Sequence, residues 1–168
     1  TKGIGKAITD VFAPFATEII LTSRTLIDLE DQKIELQKKY PELKVHILAA
    51  DFSHIEEVNY FCDFVSNLEF TIDILVNNAG VFPSVPVSSM SSEQFEKVMH
   101  INLRSVFLAT KYAASAMKKK GNGGKNITVD FSGLTPEEIA LAKSVASASM
   151  VLIFQLPAII FLRIFTNC

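Results

Sequence analysis

Short apolar runs alternate with segments of helical periodicity along most of this sequence, and that alternation most limits its possible folds. The runs of strand character are Glu18–Ser23, Val45–Ala50 and Ile72–Val76. The segments between them repeat apolar residues at the spacing of a helix with one buried face. This order predicts parallel strands joined by right-handed helical crossovers. We therefore expect an α/β fold with a doubly wound parallel sheet of the Rossmann type.

The helical segments are placed by their apolar spacing and by signals at their ends. They are Ile4–Phe15, Leu26–Tyr40, Ile55–Leu68 and a long segment from Ser91 to about Met117. Pro41 ends the second segment, because the residue before a proline disfavours helix. Ser91 and Gln94 have the spacing of a capping box, which predicts the start of the long helix.

Composition indicates a globular protein and excludes some functions. The 168 residues are 49% hydrophobic, with a mean hydropathy of +0.30, which suits one domain with a sizeable core. A net charge of -2 with scattered basic residues provides no surface for nucleic acid. The two cysteines, Cys62 and Cys168, form neither a disulfide framework nor a metal-ligand spacing. This usage fits a reducing, cytoplasmic location, and we expect Cys62 in the core.

A glycine-rich turn opens the sequence, and it consists of Thr1, Lys2, Gly3, Ile4 and Gly5. Glycines at a helix N-terminus let backbone N–H groups approach a phosphate, whose charge the helix dipole favours. The same spacing also suits a plain helix-entry turn. Motifs elsewhere in the chain must distinguish the two interpretations.

Three further motifs follow in order. They are Asp51-Phe52-Ser53 after the second apolar run, Asn77-Asn78-Ala79-Gly80 after the third, and Asn102 in the long helix. Together with the opening turn they resemble the short-chain dehydrogenase/reductase family over residues 1 to about 125. That family has T-G-x-x-x-G-x-G in its first turn, and Thr1 to Gly5 look like the end of this motif. The resemblance implies a nicotinamide dinucleotide cofactor.

The resemblance also implies which residues bind the cofactor. Asp51 would lie under the adenine, although an N-cap of the helix near Ile55 is the structural alternative. Asn77 and Asn78 could instead tie down their loop through bonds to backbone. The predicted cofactor-binding residues are Thr1, Lys2, Gly3, Ile4, Gly5, Ser23, Arg24, Asp51, Phe52, Asn78, Ala79 and Gly80.

The end of the first apolar run predicts which dinucleotide is bound. In this fold an acid at that position accepts a hydrogen bond from the ribose 2′-hydroxyl of NAD, whereas an Arg accommodates the 2′-phosphate of NADP. The chain has Thr22-Ser23-Arg24 there, with no acid. Arg24 and Lys2 can provide charge-assisted donors to the phosphate, so we expect NADP(H) rather than NAD. The alternative for Arg24 is a solvated arginine at the start of a charged helix.

The family's chemistry needs a Tyr and a Lys four residues later, with a Ser and the helix Asn. The resemblance gives Asn102 and Ser132 as catalytic residues. Tyr40 to Lys44 has the Y-x-x-x-K spacing but lies too early in the chain, so we expect only packing there. Ala146 and Met150 stand where the Tyr and Lys would fall, and neither provides a proton or a charge. We therefore expect little or no turnover from this chain.

Two domain segments are expected: a partial NADP-binding domain at 1–133 and a divergent helical or apolar segment at 134–168. The resemblance places a further strand before the glycine turn, between the first and third apolar runs in the sheet. Without it, we expect those two runs to expose unpaired backbone groups in an incomplete sheet. Within the second segment, Val151–Phe165 is almost wholly apolar but shorter than the roughly 20 residues of a membrane span.

The resemblance thus implies an incomplete NADP-dependent oxidoreductase that interconverts a carbonyl, either a ketone or a 3-oxoacyl group, and an alcohol. The alternative is a non-catalytic, degenerate family member that binds a nucleotide or only dimerises. A third interpretation is a tail anchor formed by Val145–Phe165, which we rank below both. The resemblance further implies a homo-oligomer of the intact protein, formed through the long helix that carries Asn102 and the helix after it.

Overall fold

The computed structural model describes residues 3–81, 83–119, 124–128 and 159–164. The helices are α1 (Gly3–Phe12), α2 (Leu26–Lys39), α3 (Ile55–Ser66), α4 (Ser92–Met99) and α5 (Ser105–Lys119). The strands are β1 (Ala16–Ser23), β2 (Lys44–Ala49), β3 (Ile74–Asn77), β4 (Lys125–Thr128) and β5 (Ile159–Ile164). Short 3-10 turns occur at Ala13–Phe15 and Val87–Ser89, and a π-helical segment, His100–Arg104, joins α4 to α5.

The strands form one sheet in the order β2-β1-β5-β3-β4. β1 pairs in parallel with β2, and β3 pairs in parallel with β4, as a doubly wound α/β fold requires. β5 is antiparallel to both of its neighbours. The expected α/β class is confirmed, while the sheet is mixed rather than wholly parallel.

Strand β5 corrects the expectation for the middle of the sheet. The ladders of β1 and β3 are not left open, because β5 lies between them and pairs with both. Residues 159–164 therefore form a strand inside the segment that was expected to be helical or apolar. Their run of Ile, Phe and Leu suits a strand, and pairing on both sides satisfies backbone groups that burial would otherwise leave unsatisfied.

Helices cover both faces of the sheet. Successive residues of β1 point to opposite faces, so Ile20 packs with α3 and α5 while Ile19 and Leu21 pack with α2. Phe61 and Cys62 of α3 are each only 1% exposed within the first of these clusters, which confirms the core position expected for Cys62. This two-sided burial explains why the apolar runs of β1 and β3 are nearly continuous.

The long helix begins where the sequence predicted. Ser91 Oγ accepts a hydrogen bond from the N–H of Gln94 at 3.2 Å, and Gln94 Oε1 accepts from the N–H of Ser91 at 3.0 Å. The predicted capping box is confirmed. The helix is not uniform, because the π-helical segment around Asn102 interrupts its regular bonding.

No helix in the described ranges is long and apolar enough to cross a bilayer. Of the tail-anchor segment Val145–Phe165, residues 159–164 lie in the sheet as β5. Its remaining residues lie outside those that the structure describes.

Candidate functional site

A cleft lies at the carboxyl ends of β1, β2 and β3. Parallel strands end at the same edge of a sheet, which is where open α/β sheets bind their ligands. The backbone N–H of Ala50 donates to the carbonyl of Ser23 at 2.9 Å and joins the ends of β1 and β2. The cleft is lined by Thr22, Ser23, Arg24, Ala50, Asp51, Phe52, Ala79, Val81 and Ile101.

Five of the predicted cofactor residues come together in this cleft. They are Ser23, Arg24, Asp51, Phe52 and Ala79. Asn78 and Gly80 are buried on either side of Ala79 but do not line the cleft. Contact of any of these residues with a cofactor stays a prediction.

The remaining predicted residues lie in or near the opening turn. Gly3, Ile4 and Gly5 form the first turn of α1. Gly3 has a φ of 61°, a left-handed conformation that glycine adopts without strain. Thr1 and Lys2 lie outside the described residues, as does Ser132.

Asp51 is held in an ionised state at the cleft. Its Oδ1 accepts hydrogen bonds from the N–H of Ser53 at 2.9 Å and from the Ser53 hydroxyl at 2.7 Å. Burial acts to raise the pKa of Asp51, but these bonds, with the charges of Arg24 and His54, hold that pKa below its ordinary value. The N-cap interpretation is wrong, because His54 is the N-cap of α3 and the Asp51 side chain closes its own turn with Ser53.

Glu57 supports the Asp51 loop, and the sequence did not single it out. Its Oε2 accepts a hydrogen bond from the backbone N–H of Asp51 at 2.6 Å. Glu57 belongs to the first turn of α3, where the helix dipole favours a carboxylate. An acid in the first turn after a functional loop is the only signal that could have indicated this contact.

The turn after β1 presents Arg24 at the cleft. Ser23 Oγ donates to the carbonyl of Thr25 at 3.3 Å and accepts from the N–H of Thr25 at 3.4 Å, so it braces the turn on both sides of Arg24. The Arg24 side chain itself is exposed. A guanidinium in this position adds positive potential beside Asp51.

Asn102 contacts the cleft wall. Its Nδ2 donates to the carbonyl of Val81 at 2.8 Å, and its Oδ1 accepts from the N–H of Val81 at 2.8 Å. Val81 lines the cleft, so the amide joins that wall to the π-helical segment. The predicted catalytic role of Asn102 stays a prediction, while its side chain has an evident positioning role.

A second polar cluster was missed by the sequence analysis. Asn77 Nδ2 donates to Asn126 Oδ1 at 2.9 Å and to Thr110 Oγ1 at 3.3 Å, and Asn126 Nδ2 donates to Thr110 Oγ1 at 2.9 Å. The three side chains join β3, β4 and α5. Asn77 therefore joins secondary-structure elements through these bonds, and no local pattern predicts partners so distant in sequence.

Tyr40 and Lys44, which have the Y-x-x-x-K spacing, lie at the opposite edge of the sheet from the cleft. Tyr40 follows α2, and Lys44 is the first residue of β2. Tyr40 packs beside the core, with the Lys39 ammonium 5.3 Å from its ring centre. Lys44 Nζ lies 3.9 Å from Glu18 Oε1 of β1. These are packing and surface contacts, distant from the cleft.

Comparison with known proteins agrees with this architecture. A family model described as short chain dehydrogenase matches residues 1–134. The chain belongs to the short-chain dehydrogenase family. In this short-chain dehydrogenase, the matched range contains the residues that line the cleft, the glycine turn of α1 and the long helix that carries Asn102.

Individual relatives show the extent of the similarity. Sepiapterin reductase of Chlorobaculum tepidum is 33% identical over 129 residues, covering 73% of this chain and 52% of that protein. The 3-oxoacyl (acyl-carrier-protein) reductase FabG of Aquifex aeolicus is 32% identical over 120 residues, covering 71% of this chain and 48% of that protein. The chain thus spans about half the length of these curated relatives.

Solved structures give the same result for the fold. The crystal structure of a metagenomic short-chain oxidoreductase in complex with NADP superposes with a TM-score of 0.71 at 26% identity. The match covers 80% of this chain and 60% of that one. The short-chain dehydrogenase fold is therefore present in this chain, with β5 antiparallel between β1 and β3.

Proposed function

We propose that this chain is the nucleotide-binding part of an NADP-dependent oxidoreductase that interconverts a carbonyl compound and an alcohol. The observation that carries the proposal is the end of β1, where Arg24 lines the cleft next to Asp51. The relatives named as reductases and the related structure with bound NADP support it.

The described residues fit an adenine nucleotide. Phe52, Ala79 and Val81 give the cleft apolar walls of the kind that accommodate a base. Asp51 lies beside them with a lowered pKa, and its carboxylate can accept from the adenine amino group. The polar and apolar lining together match a purine with a hydrogen-bonding edge.

The phosphate groups have separate partners in this proposal. Arg24 would bind the 2′-phosphate, because a guanidinium forms paired charge-assisted hydrogen bonds with phosphate oxygens. The glycine turn at the start of α1 would receive the pyrophosphate, and Gly3 allows the backbone geometry that this turn adopts. Lys2 stays a predicted second donor to the 2′-phosphate.

Bound NADPH supplies the hydride, and the protein must supply the proton for the carbonyl oxygen. Asn102 hydrogen-bonds to Val81 through both of its amide atoms. Its predicted part in the proton relay, which is to hold a water, stays a prediction. Ser132, Ala146 and Met150 lie outside the described residues. We propose binding of NADP(H) with little or no turnover by this chain, and a ketone or 3-oxoacyl substrate for an intact enzyme.

The alternative function is a family member that associates without catalysis. The outer face of the long helix favours it, because Phe95, Met99, Leu103 and Phe107 form an exposed apolar stripe. We propose that this stripe contacts a second copy of the chain, so that the protein is a homo-oligomer. The two proposals are compatible, since the cleft and the stripe use different side chains.

Titration of the protein with NADPH tests the binding proposal. Turnover is tested by adding ketones or 3-oxoacyl thioesters and following the absorbance of NADPH. We expect saturable binding with little oxidation of NADPH. Clear turnover would contradict the proposed lack of activity, whereas no binding would contradict the nucleotide site itself.

Sedimentation of the wild type and Leu103→Glu tests the oligomer. Leu103→Glu should shift the protein to monomer, while Asn59→Glu on the exposed surface of α3 should leave its state unchanged. A wild type that is monomeric at all concentrations contradicts the oligomer proposal.

A further inference from the structure

The two sides of the cleft belong to strands that are not paired with each other in the sheet. Thr22, Ser23 and Arg24 come from the end of β1, whereas Ala79 and Val81 follow β3. β5 lies between these strands and pairs with both. Within the sheet, β5 therefore sets the distance between β1 and β3, and with it the width of the cleft.

The register places one end of β5 at the cleft edge. Ile159, the first residue of β5, is the Cα partner of both Thr22 and Asn77. At the other end, Ile164 pairs with Ala16 at the start of β1. Because β5 runs antiparallel to its neighbours, its first residue lies level with the residues that begin the cleft.

Among the described strands, β5 is the only one that joins the β2–β1 pair to the β3–β4 pair. Burial requires the inner edges of β1 and β3 to have hydrogen-bond partners, and β5 provides them on both sides. If β5 detaches from the sheet, the inner edges of β1 and β3 both lose their hydrogen-bond partners. The cleft then loses the element that fixes β1 relative to β3.

We propose that residues 159–164 position the two sides of the nucleotide cleft, so that docking of β5 and binding of NADP(H) favour each other. This inference rests on the proposed function. A ligand that binds only the form with β5 docked stabilises that form by mass action. The coupling is reciprocal, so an undocked β5 lowers the affinity for the nucleotide.

Hydrogen exchange of the full chain tests the coupling directly. Without nucleotide, the backbone amides of β5 should exchange more slowly than those of an unstructured peptide. With NADPH at about 100 times its Kd, exchange that occurs through undocking should slow by up to about 100-fold. If β5 had no link to the cleft, its exchange through undocking would be equally fast with and without NADPH.

A proline substitution provides the reverse test. Phe161 pairs with both Ile20 and Leu75, and Phe161→Pro removes an N–H from the middle of β5. We expect NADPH affinity to fall roughly tenfold or more, while Phe161→Val, which keeps the N–H and a residue suited to strands, retains affinity near that of the wild type. Circular dichroism shows whether Phe161→Pro is folded, and if it is not, the exchange experiment on the wild type decides.

The outcomes separate this inference from the function on which it rests. A wild type that does not bind NADPH overturns the proposed function and the coupling with it. NADPH binding with no change in the exchange of β5 amides overturns the coupling alone. Slower exchange with NADPH, together with weaker binding by folded Phe161→Pro, supports both.

Discussion

The side-chain amide of Asn102 and the backbone of Val81 form a reciprocal pair of hydrogen bonds, each 2.8 Å long. One bond uses the amide as donor and the other uses it as acceptor, so the orientation of the side chain is fixed. Val81 forms part of the cleft, and Asn102 belongs to the π-helical segment between α4 and α5. The irregular helix thereby determines where one wall of the cleft lies.

Asn102→Ala should destabilise the protein by about 1–3 kcal/mol, because it leaves the Val81 backbone groups without their partners. Urea unfolding followed by circular dichroism measures the change. Glu96→Ala, on the exposed surface of α4, is the matched control and should change stability by less than about 0.5 kcal/mol. Equal stability of Asn102→Ala and the wild type would contradict the proposed role of this pair.

Asp51 should make stability depend on acid pH. Its folded pKa lies below the ordinary value of 3.8, so unfolding takes up a proton in the range between the two values. The stabilising contribution is complete above 3.8 and is lost as the pH falls through the folded pKa. Unfolding free energies measured between about pH 6 and pH 2.5 should decline less steeply for Asp51→Asn than for the wild type. Parallel profiles would show that Asp51 carries no such shift.

Cys62 should be unreactive in the folded protein. Burial raises the pKa of its thiol to about 11, with a further rise from Asp63 that Lys111 opposes. The reactive thiolate is therefore scarce at neutral pH. In Cys168→Ser, where Cys62 is the remaining thiol, a disulfide reagent should react slowly until urea unfolds the chain. Rapid labelling without urea would contradict the buried position of Cys62.

Gln32 offers a stabilising substitution. Its side chain is 3% exposed on the inner face of α2, and among the described residues neither of its amide atoms has a hydrogen-bond partner. Burying an unsatisfied amide costs about 1–3 kcal/mol in protein mutational data. Gln32→Leu should therefore raise the free energy of unfolding, whereas Gln37→Leu on the exposed face of the same helix should not. A lower free energy of unfolding for Gln32→Leu than for the wild type would contradict this prediction, because it would show that the buried amide does not destabilise the fold.

Local sequence signals predicted most of the fold. The apolar runs predicted β1 and β2 because burial on both faces leaves nearly continuous hydrophobic strands. The Ser91 and Gln94 pair predicted a helix start because a capping box needs only residues three apart in sequence. The resemblance to the short-chain dehydrogenase family indicated Ser23, Asp51 and Ala79. They come together in the cleft because the ends of parallel strands meet at one edge of the sheet.

Contacts between distant segments could not be predicted in the same way. The run at Ile159–Ile164 has strand character, but its composition does not specify which strands it joins or in which direction. The bond from the Asp51 N–H to Glu57 depends on the path of the loop between them. Likewise, the hydrogen bond between Asn102 and Val81 depends on how the π-helical segment packs against the residues that follow β3.

The relative affinity for NADPH and NADH, measured by titration of the wild type and Arg24→Ala, tests the central claim most directly. We expect the wild type to prefer NADPH, because Arg24 can bind the 2′-phosphate through charge-assisted hydrogen bonds. Arg24→Ala should weaken NADPH binding by about tenfold to a hundredfold, as the loss of about 1.5–3 kcal/mol implies, and leave NADH binding nearly unchanged. Equal affinity of the wild type for both nucleotides, or equal weakening of both by Arg24→Ala, would contradict the claim.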